Sequence, residues 1–217
     1  MIAIRFPVMK GSFMSDKLGY TYGSDGKYCY EGSDVLVNKL DLKSYEELNP
    51  AKAEAVAKRT EEMLEMDGLS GHYDLKHLKS FHHQLFQDIF DWAGELRTVD
   101  ISEDVFCKAD DIEGYAVQVF LRLENEDYLK GLSVEDLADR LAYYSYEIEK
   151  MHPFRCGNFT AMTAFLTQMC RRVGFKYDIS GIPEDEIESA RKALIEGDQS
   201  KLEAVYLKAV SKIPRKK

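Results

Sequence analysis

Residues 152–160 combine residue types that could bind an anion and accept a proton. They read HPFRCGNFT, which is a histidine, a glycine-containing turn and the start of an apolar run. A turn that leads into a helix points backbone N–H groups and the positive end of the helix dipole at its mouth, which favours anions. A nearby histidine can act as a general base at neutral pH. The same pattern also fits an ordinary corner between two helices with a half-buried histidine, so the residues alone leave both interpretations open.

Two predicted helices must position this segment. Ser133, with an acidic residue three positions later, is a typical helix start, and the helix that follows must end before Pro153 because the residue before a proline is disfavoured in a helix. We expect Asn158 to cap a second helix, which Gly174 ends. His152 is thus predicted to lie at the end of one helix, with the glycine turn at the start of the next.

The rest of the pattern predicts an all-α fold in a single domain over residues 31–212, between an irregular arm (1–30) and a basic tail (213–217). Apolar residues three and four positions apart predict seven helices. These helices are expected at 51–66, 74–92, 112–128, 134–151, 158–172, 184–196 and 200–210. Alternation at 98–107 predicts one small β-hairpin.

Composition excludes several classes of function. The 217 residues are 45% hydrophobic and carry a formal net charge of −9, which disfavours binding to nucleic acid and to anionic membrane surfaces. No stretch approaches the roughly 18 apolar residues of a membrane span. The first residues lack the pattern of a signal peptide, and the four cysteines form no CxxC pair, which suits a reducing compartment. We therefore expect a cytoplasmic protein.

The histidine loop resembles the HPFx(D/E)GNGR active loop of the Fic/Doc family, named for filamentation induced by cAMP. The match consists of HPFR at 152–155 and Gly157-Asn158. Residues 30–36, YEGSDVL, are similar to an N-terminal segment of that family, and residues 82–97 are similar to the segment that leads into its flap hairpin. The resemblance spans residues 28–175 and implies the mainly helical Fic fold with a small β-hairpin flap.

The resemblance also implies an activity, namely the transfer of AMP from ATP, with Mg²⁺, to a hydroxyl group of a target protein. On this basis His152 would deprotonate the hydroxyl, Phe154 would pack the loop on the core, and Gly157 and Asn158 would bind phosphates. The flap would dock the protein target by strand addition. The flap residues expected to do so are Val99, Ile101, Val105 and Phe106.

The sequence departs from the family pattern at the positions that handle charge. Cys156 stands where the acidic metal ligand is expected, Phe159 replaces the second glycine, and Thr160 and Thr163 replace two arginines. A thiol is a poor ligand for Mg²⁺, and threonine cannot form the bidentate contacts of an arginine. We therefore expect Mg-ATP activity to be weak or lost. Two alternatives stay open: a non-catalytic module that binds a protein or a nucleotide, and an active enzyme that uses another phosphate-containing donor.

Other candidate residues suggest little chemistry. Four histidines at 72, 77, 82 and 83 lack the spacing of a metal site, so no metal site is expected there. Cys156, at a helix start beside Arg155, is either a reactive thiol or a small buried residue. An inhibitory helix of pattern (S/T)xxxE(G/N), which many family members carry, has no match. We expect no inhibition from within the chain, and a separate regulatory protein stays possible.

Overall fold

The structure is a computed structural model, and it describes residues 26–66, 68–102 and 105–214. These residues form seven α-helices and one two-stranded sheet. The helices are α1 (Tyr45–Glu65), α2 (Leu75–Phe86), α3 (Ile112–Asn125), α4 (Val134–Met151), α5 (Asn158–Arg172), α6 (Glu184–Ile195) and α7 (Ser200–Ala209). The strands are β1 (Phe175–Tyr177) and β2 (Val210–Lys212). Among the residues described, no helix is long and apolar enough to cross a membrane.

Helix α5 is the centre of the fold. Every side chain from Asn158 to Thr167 is buried, as is typical of a helix surrounded by other elements on all sides. It packs against α2, α4 and β1. Helix α4, which precedes the loop, starts as predicted, because the Ser133 side chain accepts a hydrogen bond from the N–H of Asp136. The predicted bounds of α4 are confirmed, and α5 ends at Arg172 as predicted.

The C-terminal helices close the fold around α4. Helix α7 packs on α4 and α6, and the hydroxyl groups of Ser145 and Tyr206 form a buried hydrogen bond of 2.7 Å between α4 and α7. After α7 the chain pairs with the residues that follow α5. The register is antiparallel, with Phe175 opposite Lys212 and Tyr177 opposite Val210. The last two helices are therefore part of the core, and their removal would expose it.

Helix α2 ends earlier in the structure than the sequence predicted, which was at Trp92. It stops at Phe86, and residues 87–94 form turns in which Ile89 and Phe90 are still buried. The Phe86 carbonyl accepts hydrogen bonds from the N–H groups of both Ile89 and Phe90, while Phe90 and Trp92 stack with ring centres 4.3 Å apart. The three- and four-residue spacing of apolar side chains thus continues beyond the helix, because the turns at 87–94 also bury Ile89 and Phe90.

The mostly helical fold with a small two-stranded sheet is confirmed, but the strands are not where the sequence predicted them. The described residues of 98–107 contain turns, bends and a single bridge residue, Ile101, but no strand; Ser102 has a φ of 41°, and the paired strands lie at β1 and β2 instead. The cause is Arg97, whose guanidinium donates hydrogen bonds to the carbonyl oxygens of Val99 (2.7 Å) and Cys107. Those carbonyls are thereby engaged by a side chain. Residues 103 and 104, the expected turn, lie outside the described residues.

The domain limits stay a prediction. Most of the expected N-terminal arm lies outside the described residues, and so do the last three residues of the basic tail. At the described edge, Tyr28 is buried and Cys29 pairs with Leu36 in an isolated β-bridge.

Candidate active site

The loop between α4 and α5 turns on two residues in the left-handed region. His152 ends α4 with a φ of 42°, and its N–H still donates to the Ile148 carbonyl. Gly157 has a φ of 76°, and a Cβ at this position would lie 2.4 Å from Cζ of Phe86. Only glycine fits there without displacing the Phe86 ring. The close approach of the loop to α2 therefore explains the glycine on structural grounds.

Asn158 holds the loop through its side chain. Its Oδ1 accepts a hydrogen bond from the Phe154 N–H at 2.8 Å, and its Nδ2 donates to the Phe154 carbonyl at 2.8 Å. The prediction that Asn158 caps α5 is wrong, because it is the first helical residue and Gly157 takes the cap position. An amide can satisfy one N–H and one C=O at once, which suits it to bridging the loop. Phosphate binding by this amide stays a prediction.

His82 supports the loop from α2. Its ring stacks on Phe154 with centres 3.9 Å apart, which fits the expected packing role of Phe154. Nδ1 accepts a hydrogen bond from the Gly94 N–H at 2.8 Å, so Nε2 carries the proton that it donates to the Cys156 carbonyl at 2.9 Å. Complete burial lowers the pKa of His82 from 6.5 to about 3. His82 is thus a neutral donor that fixes the loop backbone, a role that the sequence did not suggest.

Arg97 ties the loop to residues 98–107. Its side chain is buried, its Nε donates to the His152 carbonyl at 2.7 Å, and its backbone N–H donates to the Pro153 carbonyl at 2.9 Å. The guanidinium contacts described above continue to Val99 and Cys107. One buried cation therefore sets the position of the histidine backbone and of the flap segment together. In the sequence, Arg97 stood out only as the last residue of the segment at 82–97, which is similar to the segment that leads into the family's flap hairpin.

The His152 side chain is enclosed by two neighbours, and only 2% of it is exposed. Its ring stacks on Phe106 with centres 4.2 Å apart, and its Nδ1 lies 3.8 Å from Oε1 of Glu149, one turn earlier on α4. The candidate base therefore lies between an aromatic ring and a buried carboxylate. At 2% exposure the imidazole is shielded from solvent, and Phe106 covers one of its faces.

Glu149 also pairs with Arg191 of α6. The distance from Arg191 Nη2 to Glu149 Oε1 is 3.3 Å, and both residues are buried. The guanidinium carbon lies 4.1 Å from the ring centre of Phe159, the second residue of α5. A cation therefore lies beside the first turn of α5, where the sequence had predicted no fixed charge from α5 itself. The sequence reasoning missed both Glu149 and Arg191.

The four substituted motif positions are all buried. Cys156 and Phe159 are 3% and 4% exposed, and Thr160 and Thr163 are also enclosed. The hydroxyl of Thr163 has no hydrogen-bond partner among the described residues, whereas its carbonyl accepts from Thr167. Burial of Cys156 fits the interpretation as a small apolar residue.

These residues do not fit Mg²⁺. A magnesium ion takes oxygen ligands in octahedral geometry, whereas the position expected to supply a carboxylate holds the buried thiol of Cys156. The nearby carboxylate of Glu149 is paired with Arg191. Within residues 26–66, 68–102 and 105–214, no group of three or more His, Cys, Asp or Glu side chains could hold a metal ion.

The expected docking residues differ in exposure. Ile101 and Phe106 belong to the core, Val99 is half-buried, and Val105 is 37% exposed. Val105 and Phe106 line an open cleft together with residues of α4 and α6. The other lining residues are Tyr146, Glu149, Lys150, Leu194 and Ile195. Target docking through this segment stays a prediction.

Comparison with known proteins identifies the family of the chain. Residues 72–170 match the model of the Fic/DOC family. The chain is 37% identical to a probable protein adenylyltransferase Fic of Escherichia coli K12 over 91% of this chain and 97% of the relative. It is 38% identical to the corresponding Salmonella typhimurium protein, with the same coverage. A crystal structure of BepC from Bartonella tribocorum with bound AMPPNP has the same fold, with a TM-score of 0.77 at 23% identity over 86% of this chain and 97% of that one. With its histidine loop, Gly-Asn turn and helical core, the chain belongs to the Fic/DOC family.

Proposed function

We propose that the protein is a Fic-type AMP transferase whose reaction with Mg-ATP is weak or lost. The relatives are named protein adenylyltransferases, which supports AMP transfer to a protein hydroxyl as the reaction class. The observation that carries the proposal is the geometry of the loop around His152 together with the uncharged, buried side chains at 156, 159, 160 and 163. The cysteines without a CxxC pair support a cytoplasmic location.

The reaction assigns a defined step to His152. The hydroxyl oxygen of the target attacks the α-phosphorus of ATP, the bond to the β-phosphate oxygen breaks, and pyrophosphate leaves. The imidazole of His152 accepts the hydroxyl proton. The carbonyl of His152 is fixed by Arg97, and the loop is fixed by Asn158 and His82. These contacts hold the base in one place, and positioning of this kind supplies much of the rate in phosphoryl-type transfer.

Two features of the site lower the expected rate of AMP transfer. The charge that develops on the leaving pyrophosphate needs stabilisation by cations, and none of the four substituted positions supplies a charge or a magnesium ligand. In addition, Phe106 covers the imidazole of His152. Turnover therefore requires the Phe106 ring to move away from the His152 imidazole, and the free energy of this movement adds to the activation free energy.

A target protein is proposed to contact the segment at 98–107. Val105 is an exposed apolar side chain of this segment, and the next residue, Phe106, stacks on His152. A target strand that binds beside Val105 would displace the adjacent Phe106, which covers His152. Substrate docking and exposure of His152 would then be coupled.

The test is transfer of ³²P label from [α-³²P]ATP to proteins of a cell lysate, with and without Mg²⁺. Weak labelling that disappears in His152→Ala is the expected result. His72→Ala is the matched control, because His72 is exposed on the surface and the variant should label as the original protein does. Strong Mg²⁺-dependent labelling would contradict the weak-activity proposal, and labelling that survives in His152→Ala would contradict the role of the base.

A non-catalytic binding module is the second candidate function. The burial of His152 under Phe106 favours it, because such a site is closed to substrates. ATP or protein binding with no label transfer, under every metal condition tested, is the outcome expected of such a module.

A further inference from the structure

Arg191 approaches the histidine loop from α6, more than thirty residues later in the chain. Its guanidinium lies over the ring of Phe159 and is paired with Glu149. Arg191 is 9% exposed, so this cation lies inside the protein next to the first turn of α5. The first-turn N–H groups of a helix lack acceptors within the helix and favour a negative charge.

The donors of Arg191 are not all used within the described part of the chain. Its Nε is buried and has no hydrogen-bond acceptor there. A guanidinium has five N–H donors in a planar fork that matches two oxygens of a phosphate group. A single carboxylate oxygen at 3.3 Å leaves much of this capacity open. Arg191 therefore has donors available for a second acceptor group.

We propose that Arg191 binds the terminal phosphates of a nucleoside polyphosphate, without a metal ion. This inference rests on the proposed function, and it assigns to α6 the cation that positions 160 and 163 of α5 do not supply. In the ligand-free protein, Glu149 pairs with Arg191 in place of the phosphate. On binding, phosphate oxygens replace the carboxylate at the guanidinium and accept from Nε as well.

The location of Glu149 supports this exchange. The same oxygen, Oε1, lies 3.8 Å from Nδ1 of His152 and 3.3 Å from Nη2 of Arg191. An anion that replaced the carboxylate would thus lie between the candidate base and the first turn of α5. Glu149 and a phosphate would compete for one cation, so neutralising Glu149 should strengthen phosphate binding.

The decisive comparison uses inorganic tripolyphosphate, with ATP and AMP alongside, in calorimetric titrations without metal. Removing Arg191 alone would take away the cation that pairs with the buried Glu149 carboxylate, so the test pair is Glu149→Gln against Glu149→Gln/Arg191→Met. Glu149→Gln should bind tripolyphosphate several-fold more tightly than the original protein. Adding Arg191→Met should weaken tripolyphosphate and ATP binding by about tenfold or more, which is the effect of losing a charge-assisted hydrogen bond.

Two controls separate phosphate binding from a structural role. AMP lacks the terminal phosphates, so its affinity should change by less than about threefold between the two variants. Lys192→Met removes an exposed cation from the next position of α6 and should leave tripolyphosphate affinity unchanged. If the double variant does not fold, Arg191→Lys keeps the charge but loses the fork, and should bind tripolyphosphate at least about threefold more weakly than the original protein.

The outcomes distinguish this inference from the proposed function. Arg191-dependent tripolyphosphate binding without any AMP transfer would support the phosphate site and favour the non-catalytic binding module over an active transferase. AMP transfer with equal tripolyphosphate affinity in both variants would overturn the phosphate site and leave the transferase standing. Absence of tripolyphosphate binding in both the original protein and Glu149→Gln would also overturn the site.

Discussion

Gly157→Ala should destabilise the protein far more than a matched glycine substitution elsewhere. Gly157 and Gly174 both have a positive φ, 76° and 92°, so alanine costs backbone strain of about 1–2 kcal/mol at either site. An added Cβ at Gly157 would also lie 2.4 Å from the Phe86 ring, whereas at Gly174 it meets no described atom within 4 Å. Overpacking of this kind adds about 1–3 kcal/mol. The expected losses are about 2–5 kcal/mol for Gly157→Ala and about 1–2 kcal/mol for Gly174→Ala.

The assay is urea unfolding followed by circular dichroism, which gives the free energy of unfolding of each variant. A second variant tests the cause. Phe86→Leu removes the ring that the new Cβ would strike, so the combination Gly157→Ala/Phe86→Leu should lose less than the sum of the two single changes. Equal losses for Gly157→Ala and Gly174→Ala would refute the assignment of Gly157 to close packing. Strict additivity with Phe86→Leu would refute Phe86 as the partner.

Three further predictions concern the contacts around the loop. His82 has a pKa of about 3 in the folded protein and 6.5 when exposed, so between these two values the unfolded chain binds a proton that the folded protein does not. The free energy of unfolding is therefore unaffected by this group above pH 6.5 and falls by up to about 1.4 kcal/mol per pH unit between pH 6.5 and 3. His82→Gln should have a shallower pH dependence of unfolding free energy than the original protein, and parallel curves would contradict this. Ser145→Ala and Tyr206→Phe each break the same buried hydrogen bond, and each should lower the free energy of unfolding by about 1–3 kcal/mol. The double variant should lose clearly less than the sum of the two, and additive losses would show that the hydroxyls act independently. Phe106→Ala should expose His152 and speed its modification by diethyl pyrocarbonate, measured by mass spectrometry; an unchanged rate in the folded variant would show that Phe106 does not cover the base.

The two helices at the site could be predicted from sequence because local signals define both of their ends. Ser133 provides a cap for α4, Pro153 prevents its continuation, and a turn with Gly157 separates it from α5. The strands β1 and β2 were missed because each has only three residues and each pairs with a partner more than thirty positions away. Alternation over so few residues is not distinctive.

The side chains that complete the site were harder to predict because they come from distant segments. Arg191 does carry a local signal: it lies on the buried face of α6 with Ile187, Ala190 and Leu194, and an arginine on an apolar face needs a partner. The sequence could not tell which carboxylate that partner is. Likewise, the sequence suggested no role for His82, because its bond to the Cys156 carbonyl depends on a contact across 74 positions.

The substituted motif positions and the pair of Glu149 and Arg191 form one consistent arrangement. Charged side chains at 160 and 163 would be costly in this structure, since both positions are buried on a helix enclosed on all sides. Arg191 is buried too, but Glu149 neutralises it and Phe159 offers its ring face, so the cation is stabilised without solvent. A glycine at 159 would remove that ring and leave a cavity beneath the guanidinium. Phe159 thus fits a site whose cation comes from α6, and the affinity of that site for phosphate depends on how readily Glu149 gives up Arg191.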